Sequence, residues 1–79
     1  MPVSELVFAA VGHLVRRRRQ LGLSQSDVAR MMSTTQPAIA KLESRRFIPT
    51  VVTMEKYAAA VGSTLVLYVH DHQTDDKTS

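Results

Sequence analysis

Seventy-nine residues without a cysteine make one small domain held by neither disulfides nor thiolate zinc sites, and a reducing, cytoplasmic setting is expected. The longest apolar run, LVFAAVG, is too short to cross a bilayer, so no membrane partner is expected, and apolar residues ahead of Arg16–Arg19 reverse the order of a secretory signal. The formal charge of +3 divides unevenly: nine Lys or Arg against four Asp or Glu through His70 give +5, whereas three Asp against one Lys give −2 from Asp71 to Ser79, so a polyanion suits the body and residues 71–79 read as a disordered acidic tail.

The first predicted helix runs from about Ser4 to Gln20, with an apolar stripe of Leu6 or Val7, Ala10, Val11, Leu14 and Val15, and Gly22 closes it. Ser24 is an N-cap for a second helix in which Val28, Ala29 and Met32 recur at helical spacing. The polar trio Ser33, Thr34, Thr35 then interrupts the pattern. Thr35 caps a third helix, Gln36–Ser44, which tolerates Pro37 because a first-turn position has no intrahelical N–H to lose. That helix is expected to bury Ala38, Ile39 and Leu42 and to expose Gln36, Ala40, Lys41 and Ser44. An outer face with an amide, a small residue and a lysine suits the DNA major groove, and the two helices together read as a helix-turn-helix.

Phe47 and Ile48, in the following loop, are expected to fold back onto the core, and a helical turn within Arg46–Thr50 leaves the count at four or five helices. Thr50 caps a helix of roughly Val51–Val61 whose buried face is Met54, Tyr57, Ala58 and Val61, and Gly62 ends it. Residues 64–70 are β-branched, aromatic and apolar on both faces: Leu65, Leu67 and Val69 point one way, Val66, Tyr68 and His70 the other. A lone strand leaves its backbone groups unpaired. Pairing with its copy in a second subunit, through Leu65, Val66, Leu67, Tyr68 and Val69, is the preferred solution; packing on the chain's own helices is the alternative.

RRQLGLSQSDVA, TTQPAIAKLE and FIPTVVTMEKYAAAVG, in this order and spacing, resemble the Cro/cI-type helix-turn-helix family of phage-repressor-like bacterial regulators over about Leu14–Gly62. The resemblance implies a mainly α, lambda-repressor-like domain over residues 1–70, to which the chain adds its C-terminal dimerising β-strand. Some antitoxin-repressors of this family carry such a strand, which narrows the likeness toward the HipB- or HigA-like group. The family commonly has glycine where this chain has Ser33, and again near Arg45. If either position needs positive φ, a side chain there costs on the order of 1 kcal/mol.

Gln36 opens the third helix, where its amide can pair with adenine N6 and N7, and the family uses this position on bases. Lys41 can reach a guanine or a phosphate; Pro37 and Ala40 offer apolar contact, as with a thymine methyl. So few polar readers leave part of the specificity to DNA shape. Gln25 matches a family position that binds phosphate, and Thr35, Ser44, Arg45, Arg46 and Arg18 complete the expected phosphate contacts. Arg16–Arg19 sweep roughly 300° of helix, so they cannot all face one partner. In the family the Glu43 position often pairs with an arginine at the end of the first helix, which implies a structural role. Six phosphate contacts per dimer would reduce affinity about a thousandfold between ~50 and ~200 mM salt.

His70 and His72 with Asp71 lack a third strong ligand, so no metal is expected, and no cofactor. No nucleophile–base–orienter set is present, so the chain is not read as an enzyme. The reading is a homodimeric repressor of double-stranded DNA on a palindromic operator, an antitoxin regulating its own operon with a toxin protein as possible partner. The alternative is a protein-interaction module, neutralising a toxin or acting as an adaptor, with little specific DNA binding.

Overall fold

Residues 2–72 are described by a computed structural model, and among them four helices follow in order: α1 (Val3–Gln20), α2 (Gln25–Met31), α3 (Gln36–Glu43) and α4 (Val51–Ala60). Each start is chemically marked. Ser24 and Asp27 form a reciprocal capping box, the Asp27 N–H donating to Ser24 Oγ (3.0 Å) and the Ser24 N–H to Asp27 Oδ2 (2.8 Å). Thr35 Oγ1 accepts from the Ala38 N–H at 3.3 Å and Thr50 Oγ1 from the Thr53 N–H at 3.1 Å. α1 has no side-chain cap, but Glu5 in its first turn and Arg17, Arg18 and Arg19 in its last complement the helix dipole.

Three of the helices end by one device. The N–H two residues past the C-cap donates back to a carbonyl five residues earlier: Leu23 to Arg18 (3.1 Å), Thr34 to Ala29 (2.9 Å) and Ser63 to Ala58 (2.8 Å). This closure requires a left-handed residue in between. Gly22 (φ 73°) and Gly62 (φ 69°) meet that need without strain, whereas after α2 it falls on Ser33 (φ 56°). After α3, Arg45 is left-handed as well (φ 60°). Both places where glycine was missed are therefore positions of positive φ, and the chain holds them with side chains present.

The core draws on all four helices: Val11, Leu14 and Val15; Val28 and Ala29; Ile39 and Leu42; Met54, Tyr57 and Ala58, with Val61 at the end of α4. Fully burying an aliphatic or aromatic side chain stabilises by about 1.5–3 kcal/mol, so this cluster is the main source of stability. α2 and α3 pack on each other through the short turn 32–35, α1 covers α3 and α4, and α2 also touches α4.

Three expectations need correction, and one open count closes. Among the described residues no helix forms within 46–50, so the count is four. Phe47 and Ile48 do not fold into the core but stay 38% and 54% exposed. The left-handed turn at Arg45 precedes Phe47, which lies beside Lys41 instead. Ala38 is exposed and Ala40 half-buried, the reverse of the expected pair, because Ala38 borders an open cleft with Met32, Thr53 and Lys56. Finally, among the described residues no strand forms at 64–70: a strand exists only through a ladder partner, and a single copy supplies none. Leu65 is half-buried against the core, while Val66, Leu67, Tyr68 and Val69 are 77%, 69%, 81% and 85% exposed. Of the acidic tail at 71–79, residues 73–79 lie outside the described residues.

Candidate nucleic-acid interface

The site is built around one buried ion pair. Arg18 projects from α1 and Glu43 from the last turn of α3; their side chains are only 9% and 8% exposed. Arg18 Nε donates to Glu43 Oε2 and Nη2 to Oε1, both at 2.9 Å, while Nη1 donates to the Leu23 carbonyl at 2.8 Å. The fork therefore ties α3 to α1 and to the entry of α2 at once. Tyr57 Oη donates to Glu43 Oε2 at 2.7 Å, which adds α4. Gln25 Nε2 donates to Glu43 Oε1 at 3.0 Å, which adds α2. One carboxylate thus receives donors from all three other helices.

Electrostatics follow from this geometry. Burial alone would raise the Glu43 pKa, but donors from Arg18, Tyr57 and Gln25 outweigh it and hold the group below its ordinary value. Arg18 is shifted up, chiefly by its hydrogen bond to Glu43 and against its own desolvation. Tyr57 is pushed up by burial first and by its bond to the carboxylate second, so its hydroxyl remains a donor. A carboxylate already satisfied in this way presents no bare charge to a polyanion.

The network then reaches the surface. Because Gln25 spends its amide N–H on Glu43, its Oε1 is turned outward, where Gln36 Nε2 donates to it at 2.6 Å. Gln36 is exposed at the first position of α3, so its amide is oriented by a chain of bonds that starts at Arg18. Among the described residues one Gln36 N–H and its Oε1 have no partner, the donor and acceptor that adenine N7 and N6 require. Pro37 and Lys41 share the exposed surface of the helix, and the half-buried Ala40 contributes less of it than expected. The Lys41 ammonium lies 5.1 Å from the centroid of the Phe47 ring.

The expected phosphate contacts divide. Thr35, exposed, accepts from Ala38 and keeps its hydroxyl proton to donate. Arg45 and Arg46 are exposed just past α3, and a Cβ on the buried Gly12 would meet the Arg45 guanidinium at 3.4 Å, so Arg45 rests on α1. Gln25 is half-buried with both ends of its amide engaged, which makes it first an orienter of Gln36. Two expectations are corrected. Arg18 is not a phosphate contact, because its guanidinium is consumed by Glu43 and the Leu23 carbonyl inside the fold. Ser44 has both its donors engaged within its own helix end: its hydroxyl donates to the Lys41 carbonyl (2.6 Å) and its N–H to the carbonyls of Ala40 and Lys41.

Three features escaped the sequence reading. The helical stripe places Tyr57 on an apolar face and names no partner for its hydroxyl, although a buried hydroxyl needs one and that need is the available signal. Arg17 Nε donates to the Val61 carbonyl at 3.1 Å and caps α4, so it too is occupied structurally. The Lys41–Phe47 contact had no signal at all, since it depends on the turn at Arg45.

Comparison with known proteins agrees with this architecture. The family described as Helix-turn-helix matches residues 14–67. An uncharacterized HTH-type transcriptional regulator of Haemophilus influenzae is 36% identical over 62 residues, covering 78% of this chain and 63% of the relative. The chain therefore spans just under two thirds of that relative's length. No solved structure matches. Among the described residues no helix is long and apolar enough to cross a membrane.

Proposed function

The chain belongs to the helix-turn-helix family, and from that premise we propose that it is a transcription regulator that reads double-stranded DNA through α3. The observation that carries this reading is the Gln36 amide: exposed at the start of α3, held by Gln25, and traced back to the buried Arg18–Glu43 pair. A glutamine that only capped its own helix would need no such support. Held this way, Gln36 makes the bidentate adenine contact, Lys41 and Pro37 read beside it, and Thr35, Arg45 and Arg46 grip phosphates.

The regulator acts as a homodimer and a repressor. Four successive apolar side chains, Val66–Val69, are largely exposed in one copy beside an apolar groove that includes Val3, Leu6, Ile48 and Val51. Monomers rarely leave such a patch uncovered. Antiparallel pairing of two 64–70 segments across a two-fold axis covers it and completes the missing ladder. Two α3 helices then face half-sites about 34 Å apart on a palindrome, and bound protein occludes the promoter. An antitoxin role is the narrower form of the same reading, with a toxin protein docking away from α3.

Selection from a random duplex library at ~150 mM salt tests the proposal. A palindrome should emerge, and Gln36→Ala should weaken binding by about 1–3 kcal/mol while relaxing preference at one base pair per half-site. Enrichment of nothing beyond salt-sensitive background would reject DNA reading and favour a protein-interaction module.

A further inference from the structure

Among the described residues no carboxylate lies within ion-pair distance of Lys41, yet its ammonium is not adrift. It stands 5.1 Å from the centroid of Phe47, six residues along the chain. Sequence distance alone does not produce this contact, because a helix continued through Phe47 would turn the two residues well apart. The turn after α3 produces it. Ser44 caps the helix by donating its hydroxyl proton to the Lys41 carbonyl, and Arg45 follows in a left-handed conformation that a side chain adopts only at a cost. Phe47 arrives beside α3 38% exposed and outside the hydrophobic core. Its place outside the core cluster leaves one ring face free to meet the lysine.

We infer that Phe47 is a positioning residue for Lys41: its ring face holds the ammonium and limits the sweep of the four-carbon stem before DNA arrives. This rests on the reading of α3 as the DNA-reading helix. Lysine loses considerable rotamer freedom when fixed, and a cation–π contact made in advance reduces what remains to be lost on binding. Lys41 then acts as a placed reader, and Phe47 governs DNA recognition through it.

The test combines two measurements on the whole chain. In free protein, NMR should show the Lys41 side-chain protons shifted upfield by the ring, and Phe47→Leu should remove that shift while the chain stays folded by circular dichroism, since Phe47 lies outside the core cluster. On the duplex selected by wild-type protein, Phe47→Leu should weaken binding about two- to fivefold. Phe47→Trp should restore it, and Phe47→Leu should have no effect in a Lys41→Ala background. Equal weakening in both backgrounds would mean that Phe47 meets DNA by itself, and the inference fails. It fails equally if the shift is absent or if Phe47→Leu leaves binding unchanged. Should wild-type protein select no duplex, the reading of α3 fails and takes the inference with it, a result distinct from a wild type that binds while the Phe47 variants change nothing.

Discussion

Removing the Glu43 carboxylate should come close to unfolding this protein. Glu43→Ala deletes the acceptor for two Arg18 bonds, one Tyr57 bond and one Gln25 bond, and it leaves a guanidinium with 9% side-chain exposure carrying an unpaired charge. Breaking a buried pair by deleting one partner costs about 3–5 kcal/mol. A domain of this length has a total stability of roughly 4–12 kcal/mol. At about 4–8 °C per kcal/mol, the thermal midpoint should fall by roughly 12–40 °C, read by circular dichroism at pH 7. The pair also predicts strong non-additivity. Replacing both partners in Arg18→Met/Glu43→Leu removes the stranded charge, so the double variant should be more stable than Glu43→Ala despite losing the whole ion pair. A midpoint drop below about 5 °C for Glu43→Ala, which corresponds to roughly 1 kcal/mol, would refute the argument. It would show that water reaches Arg18 and that the network does not hold the helices together.

The same carboxylate sets an acid limit. Because the folded Glu43 is held below its ordinary pKa, its contribution is fully present above that ordinary value and is lost as pH falls through the folded one; stability should therefore decline below about pH 4.3, and Glu43→Gln should flatten that decline. Ser33→Gly should raise the midpoint by about 4–8 °C, because it relieves a left-handed side chain worth about 1 kcal/mol, and an unchanged or lower midpoint would count against strain at φ 56°. Arg45→Gly should stabilise by a similar ~1 kcal/mol yet weaken DNA binding and reduce its salt dependence, a combination that thermal melts and salt titrations separate. Leu67→Asp should give a folded monomer by analytical ultracentrifugation, with operator affinity reduced far more than stability; a persistent dimer would place the subunit contact elsewhere.

Spacing and capping chemistry carried most of the fold. The stripe at Val11, Leu14 and Val15, the caps Ser24, Thr35 and Thr50, and the face Met54, Tyr57, Ala58 and Val61 are local signals, and each is realised. The positive φ at Ser33 and Arg45 was signalled by the family resemblance, which commonly has glycine there, rather than by local spacing. Errors gathered where one residue's fate depends on distant neighbours. The periodicity of α3 leaves Ala38 and Ala40 on either side of Ile39, and only an open cleft beside α4 decides which is covered. Phe47 and Ile48 are apolar, which favoured the core, but the turn at Arg45 carries Phe47 to Lys41.

The sequence by itself determined the positions of the four main helices, the helix-turn-helix pairing and the exposed position of Gln36, because these follow from patterns within a few residues; whether a further helical turn forms within 46–50 was left to the structure. Only the tertiary structure decided which arginine of Arg16–Arg19 is buried. At 100° per residue all four directions are represented, and the position of Glu43 across α3 selects Arg18 for the ion pair while Arg17 turns to the end of α4. The same three-dimensional convergence gives Gln25, an expected phosphate ligand, hydrogen bonds to both Glu43 and Gln36, which no local pattern could show.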